Sequence, residues 1–225
     1  MTDCIPVITL DGPAASGKGT IAARVAEALG FHYLDSGALY RIATLDALRR
    51  GISLDDADAL TEAAGNLAPV FENGRILLDG DDVTTAIRAE EVSAATSRVA
   101  VVPGVRSALF ALQKNAARLP GLVADGRDMG TVVFPDAPLK IFMTASARVR
   151  AERRWRQLRE RGEDADLEAL TADLEERDRR DSRRATAPLK PADDARVLDT
   201  SEMGIEEVVK KVLDWWDETR ESVVE

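Results

Sequence analysis

Five short apolar runs, each ended by a polar or glycine-rich stretch, set the rhythm of the chain. Ile5 to Leu10 reads as a buried strand with Pro6 near its start. Asp11 to Thr20 is rich in Gly, Pro, Ala and Ser and reads as a loop. Ile21, Val25, Ala28 and Leu29 then recur at helical spacing, with Gly30 placed to end the helix. Phe31 to Leu34 reads as a second strand, stopped by Asp35-Ser36-Gly37. Strand, loop, helix and strand with tight connections are the signature of a parallel α/β sheet. Leu122 to Ala124, Lys140 to Met143 and Arg196 to Leu198 each read as a further central strand. The expected architecture is a five-stranded parallel sheet with right-handed crossovers, flanked by helices. The last helix shows one apolar face: Ile205, Val208, Val209, Val212, Leu213 and Trp216.

Two segments break this rhythm. In residues 65–88, Val70 to Glu72, Asn73-Gly74 and Arg75 to Leu78 predict a hairpin with a type I′ turn, and Asp79-Gly80 predicts another tight turn. This is a small antiparallel insert outside the main sheet. Residues 148–184 form two charged helical stretches joined around Gly162.

At 225 residues the chain suits one compact domain carrying small lobes, and 45% hydrophobic residues suffice for a sizeable core. No apolar run approaches the roughly 20 residues that span a bilayer, and the start does not read as a secretory signal. A single Cys (Cys4) excludes an intramolecular disulfide and, with one His (His32), a Cys/His zinc cage. A cytoplasmic protein is expected. The net charge of −10 argues against wrapping nucleic acid. Yet 24 of the 30 basic residues are Arg, the side chain suited to a bidentate grip on phosphate. Between Arg148 and Arg184, 12 Arg stand against 11 Asp and Glu, so the acidity is uneven.

Gly12-Pro13-Ala14-Ala15-Ser16-Gly17-Lys18 fits G-x-x-x-x-G-K between an expected strand and an expected helix. In that context the glycines let backbone N–H groups turn toward an anion, and the helix aims its positive end at it. Lys18 can reach the β- and γ-phosphates of a nucleotide. The motif's next position, usually Ser or Thr, is Gly19, with Thr20 after it, so the loop names no magnesium ligand. Parallel sheets bind ligands at the carboxyl ends of their strands. Those ends are the loop, Asp35-Ser36, Asp125-Gly126-Arg127-Asp128 and Thr144-Ala145-Ser146. Asp199, at a fifth end, reads as a helix cap.

Arginines stand at separate places: Arg41, Arg106, Arg127 and the run Arg177 to Arg184. Phosphoryl transfer asks the protein chiefly for positioning and charge neutralisation. An acceptor that is itself a phosphate is a nucleophilic oxyanion near neutral pH, its second pKa being about 6, and needs no general base. A chain with one His agrees. Most arginines of 148–184 read as a solvated face with i,i+4 ion pairs; Arg177, Asp181 and Arg184 do not. Two rivals are a P-loop kinase of another small metabolite, which leaves those three without a role, and a nucleotide switch, whose guanine-reading motif is missing. His32 reads as a satisfied strand residue, and Trp215-Trp216 as packing of the last helix.

The stretches Ile8 to Pro13, Gly17 to Thr20, Leu34 to Arg41, Ala124 to Pro135, Arg177 to Asp181, Arg184-Ala185 and Ala187 to Leu189 together resemble the bacterial cytidylate kinases, a family of nucleoside monophosphate kinases. The resemblance runs nearly the whole length. It implies a single P-loop domain over 1–225 with a core (1–35, 120–147 and 188–225), a monophosphate-binding lobe (about 36–119) holding the β-insert, and an Arg-rich helical lid (about 148–187). It implies ATP on Gly12 to Thr20, with Arg153 and Arg154 approaching the donor phosphates, and Mg²⁺ as cofactor on ligands it does not name. Ser36, Arg106 and Asp128 are implied to read cytosine, Ser97, Arg177 and Asp181 to hold the pentose, and Arg41, Arg127 and Arg184 to hold the acceptor phosphate. Lys18, Arg127 and Arg184 are the implied catalytic set. Gly19 is the family's usual residue. Ala14-Ala15-Ser16 departs from the family's commoner Ser-Gly-Ala, and Ala14 brings no hydroxyl to the loop. Expected partners are CMP, dCMP and ATP, with neither nucleic acid nor membrane, and a monomer. UMP is expected to be a poor acceptor, because it places a carbonyl where cytosine offers an amino group to Asp128; a site built on buried polar pairing rejects such an analogue.

Steady-state assays check the loop and the arginines. Lys18→Ala and Arg127→Ala are each expected to cut turnover by orders of magnitude with little unfolding. Near-normal activity in both would refute the site.

Overall fold

A computed structural model describes residues 5–72, 74–160, 162–184 and 186–224. Cys4, Asn73 of the expected hairpin turn, Arg161 and Ala185 lie outside the described residues. The chain divides into two compact units, one drawn from Met1–Leu34 with Ala116–Glu225, the other Asp35–Asn115.

The first unit is built on a sheet of order β2-β6-β1-β7-β8. β1 (Val7–Asp11) lies between β6 (Leu122–Gly126) and β7 (Leu139–Thr144), parallel to both, and β8 (Arg196–Asp199) runs parallel to β7. Thr9 faces Ala124 on one side and Lys140 on the other. β1 and β6 are buried at every position, as expected of strands covered on both faces. β2 (His32–Asp35) and β8 are the edges, so Arg196 to Leu198 is not a central strand: Val197 is 59% exposed. Its alternation of exposed and buried residues, too short to show in three positions, is that of an edge.

α1 (Lys18–Leu29) ends at Gly30, whose N–H returns to Ala26 O and Glu27 O as the sequence leads one to expect. Ile21 and Val25 of α1 join Ile8, Leu10, Val123, Ile141 and Met143 of the sheet in one core. α8 (Ile205–Val224) adds Val208, Val212 and Trp216 to it. Ile205, expected on that apolar face, is 47% exposed; the buried part of the face begins at Val208. Trp216 meets the Phe31 ring edge-on at 5.7 Å, while Trp215 carries the cations of Arg196 and Lys211 over its ring. α6 (Ala147–Glu160) and α7 (Leu167–Arg183) are the two charged helices, with Gly162 between them at φ +77°. Among the described residues no helix is long and apolar enough to cross a membrane.

The second unit holds α2 (Ser36–Arg49), α3 (Ala57–Gly65), α4 (Glu90–Val99) and α5 (Pro103–Asn115). α3 packs on α5 and α2 on α4. Between α3 and α4 stand β3 (Val70–Glu72), β4 (Arg75–Leu78) and β5 (Asp81–Asp82), an antiparallel sheet of three strands where sequence suggested a hairpin and a turn. Asp79 (φ +51°) and Gly80 (φ +89°) make the two-residue link that pairs Leu78 with Asp81, as type I′ geometry requires. Ile76 and Leu78 turn inward, whereas Val70 and Phe71 face solvent.

Trp216 is 3% exposed, and its indole N–H finds no acceptor among the described residues. Chemical denaturation should show Trp216→Ala destabilised by about 3–5 kcal/mol, the usual cost of deleting a large buried ring. Trp216→Phe should recover most of that, since it keeps an aromatic ring against Phe31 and drops the unsatisfied donor.

Candidate active site

The loop after β1 forms because its backbone passes where side chains have no room. A Cβ on Gly12 would stand 2.1 Å from Met143 O of the neighbouring strand. Gly17 precedes α1 at φ +89°, left-handed geometry that a Cβ disfavours. Lys18, Gly19 and Thr20 are the first turn of α1, so the loop's amides and the helix's positive end share one point. Lys18 is buried and donates to Pro13 O at 3.1 Å. Ala15 sits at φ +58°, which costs a residue with a Cβ about 1–2 kcal/mol. Gly19 leaves space for a carboxylate: a Cβ there would stand 3.1 Å from Asp125 Oδ2. That Oδ2 accepts from the Tyr33 hydroxyl at 2.7 Å.

Asp11, the last residue of β1, is 5% exposed and takes two backbone donors, Met129 N on Oδ1 and Gly130 N on Oδ2, each at 2.8 Å. These N–H groups open a π-helical turn, Met129–Val133, that follows Asp128. Burial raises the Asp11 pKa to about 6; the two N–H bonds and Lys18 pull the other way, and buried Asp128 adds to the rise.

Arg127 donates through Nε to Asp181 Oδ2 at 3.1 Å and through Nη1 to Gly126 O at 3.3 Å. Asp181 also receives Arg184: Nε lies 3.2 Å from its carbonyl oxygen and 3.9 Å from Oδ1. Its carbonyl also takes Leu189 N at 2.9 Å, which ties down the chain leaving α7. Arg127, Asp181 and Arg184 are thus gathered into one cluster, with Arg177 one turn earlier on α7.

Of the two α6 arginines singled out, Arg153 meets the phosphate loop, with Nη1 on Ser16 O at 3.0 Å and Nη2 on Thr200 O at 2.6 Å. Desolvation lowers its pKa. Arg154 is half-buried on α6. The helices are also tied to the loop by a small apolar cluster of Ala14, Ala151 and Leu174. Most of the remaining charges behave as a solvated face: Arg148 and Arg156 pair with Glu152, and Arg179 and Arg180 with Glu176; the exception is Arg150, which is buried. Asp199 does not cap a helix; it accepts from Ser201 N and Oγ within the turn after β8, bonds that lower its pKa. His32 Nε2 meets Leu119 O at 3.0 Å, a satisfied strand residue.

The second unit carries the other expected residues. Asp35 caps α2 by accepting from Ala38 N, and its second oxygen takes Arg41 Nη2 at 3.0 Å. Ser36, 4% exposed, begins that helix. Arg106 of α5 lies 5.8 Å from the centre of the Tyr40 ring of α2 and reaches Ala100 O at 3.4 Å. Ser97 Oγ bonds back to Ala94 O in its own helix.

A five-stranded parallel sheet whose first strand runs into a phosphate loop and a helix N-terminus, with an arginine cluster in the same unit, defines a P-loop kinase. Solved structures agree on that fold. A gluconokinase from Sinorhizobium meliloti superposes with TM-score 0.53 at 17% identity, over 97% of this chain and 95% of its own. An uncharacterized protein from Eubacterium ventriosum gives 0.54 at 11%, over 96% and 99%. The cytidylate kinase family model matches residues 8–218. The cytidylate kinase of Paraburkholderia phymatum is 56% identical over 94% of this chain and 92% of its own, and that of Chromobacterium violaceum 53% over 97% and 98%. The chain belongs to the cytidylate kinase family. It is a nucleoside monophosphate kinase, a transferase that works on nucleotides.

Sequence reasoning left Asp11 and Tyr33 outside the site. An acid closing an otherwise apolar strand beside Gly12 was the available signal for Asp11; nothing local marks Tyr33.

Carboxyl NMR tests the electrostatics. Asp11 is expected to titrate near 6, not near 4. Because its proton is held more tightly in the folded state, its contribution to stability is full below pH 4 and is lost as pH rises through 6. The loss is about 3 kcal/mol, to be read from urea unfolding between pH 4 and 7.

Proposed function

We propose that the enzyme transfers the γ-phosphoryl group of ATP, as its Mg²⁺ complex, to CMP and dCMP, giving CDP and dCDP, with UMP a poor acceptor. An oxygen of the acceptor phosphate forms the new bond to the γ-phosphorus, the bond from that phosphorus to the bridging oxygen breaks, and ADP leaves. The attacking oxygen is already ionised near neutral pH, so the protein's task is to place two polyanions in line and balance their charge. The observation that carries the reading is the cluster of Arg127, Asp181 and Arg184 in the unit that also holds the phosphate loop.

In this reading Gly12 to Thr20 cradle the donor phosphates, Lys18 lies along them, and Arg153 braces the loop through Ser16 O; Arg154 is assigned to the donor from the family resemblance alone. The family resemblance assigns Arg41, Arg127 and Arg184 to the acceptor phosphate. Arg177, Asp181 and Ser97 hold the pentose, and Ser36, Arg106 and Asp128 read the cytosine edge. Asp128 accepts from the amino group, and Arg106 donates to the ring nitrogen and carbonyl. Mg²⁺ favours one or two carboxylates and completes its shell with water and phosphate oxygens. The buried Asp125 beside Gly19 fits such a sparse donor set; among the described residues no group of three or more His, Cys, Asp or Glu offers a fuller one. When bound, the metal supplies charge neutralisation on the donor phosphates. A cytoplasmic monomer belongs to the same reading, which rests there on the family and the single cysteine.

ATP and Mg²⁺ offered with each monophosphate in turn, read as ADP release, test this. CMP and dCMP should turn over well, UMP at least tenfold more slowly, and AMP and GMP not at all. Equal rates on UMP and CMP would sink the base-reading assignment. Turnover of gluconate or shikimate in place of the monophosphates would sink the acceptor class.

A further inference from the structure

Arg150 stands in the first turn of α6, a helix whose other arginines mostly face water, yet it is 3% exposed. Each nitrogen of its guanidinium donates. Nε bonds Ala145 O at 2.9 Å, just past the end of β7, and Nη1 bonds Ala14 O of the phosphate loop at 3.1 Å. Nη1 and Nη2 together take both carboxylate oxygens of Asp178 on α7. One fork therefore joins a strand end, the donor loop and α7. Asp178 follows Arg177 directly and lies three residues before Asp181, on the same face of the helix. Asp181 in turn holds Arg127 at 3.1 Å.

Stability alone does not ask for this arrangement. The apolar cluster of Ala14, Ala151 and Leu174 already packs the two helices on the loop, and a buried ion pair is commonly no better for stability than apolar side chains of the same volume. A planar fork fixes separation and angle in a way apolar packing does not. In-line transfer needs that, because a misplacement of about 1 Å can cost some hundredfold in rate. The geometry points to Arg150 and Asp178 as positioning residues, which set the acceptor-side helix α7 at a fixed place against the donor loop. The inference rests on the acceptor roles proposed above for Arg127, Arg177, Asp181 and Arg184.

The test compares Asp178→Asn, Arg150→Lys and the double variant with the unmodified enzyme. Each is checked for folding by circular dichroism and Tm, assayed for CMP phosphorylation, and titrated directly with ADP. Asp178→Asn is expected to raise KM for CMP at least tenfold and lower kcat at least tenfold, with ADP affinity within threefold. Arg150→Lys, which also releases Ala14 O, should weaken ADP binding at least fivefold. The double variant should be little worse than Arg150→Lys, since the two residues act through one contact. A lowered Tm with KM for CMP, kcat and ADP affinity unchanged would leave the pair a merely structural role and overturn the inference. So would equal losses of ADP and CMP affinity in Asp178→Asn, or fully multiplicative losses in the double variant. An unmodified enzyme that does not phosphorylate CMP overturns the proposed function, and this inference falls with it; normal CMP turnover in every variant overturns the inference alone.

Discussion

Two backbone N–H groups, those of Met129 and Gly130, end on the single carboxylate of Asp11, and through that grip the strand that feeds the phosphate loop holds the segment bearing Arg127 and Asp128. The carboxylate is out of water, so its charge is costly and its pKa rises. Donor and acceptor chemistry must nevertheless be held in fixed relation, and neighbouring strands alone do not fix what lies beyond their ends. β1 and β6 pair only as far as Asp11 and Gly126. Asp11 extends the registration four residues further, into irregular backbone that has no ladder of its own.

The charge distribution follows from the same demand. A net charge of −10 disfavours polyanions as a whole, but net charge is a property of the whole surface and affinity for the phosphates of a nucleotide is local. The acids that surround the arginines aim them. Asp181 orients Arg127 and Arg184, and Asp35 orients Arg41. A guanidinium has five N–H donors and one carboxylate takes at most two of them in a fork, so each such pair lowers the cost of gathering arginines without cancelling their cationic character.

What was legible in the sequence was what depends on periodicity or on a tight motif. The five strands, the phosphate loop, the end of α1 at Gly30 and the solvated face of the charged helices all follow from local rules. The edge position of Arg196 to Leu198 was not legible, because a three-residue run looks the same beside one neighbour as beside two. The third strand of the small sheet was missed because Asp81-Asp82 has no apolar residue to announce it. Arg150 was hidden for a different reason: in a stretch with 12 arginines, nothing in the order of residues says which one points inward. Asp11, polar after an apolar run, reads as the first residue of the loop, whereas it closes β1.

The strand order also has a consequence in time. β1 is complete by Asp11, yet its two neighbours in the sheet begin at Leu122 and Leu139. Helices α2 to α5 and the small sheet, by contrast, find their partners within Asp35–Asn115. Local contacts close cheaply, and distant ones must first meet the entropy of a long loop. The inserted unit can therefore order while the chain is half made, and the phosphate loop, spelled out among the first twenty residues, waits for the last hundred to give it a place to stand.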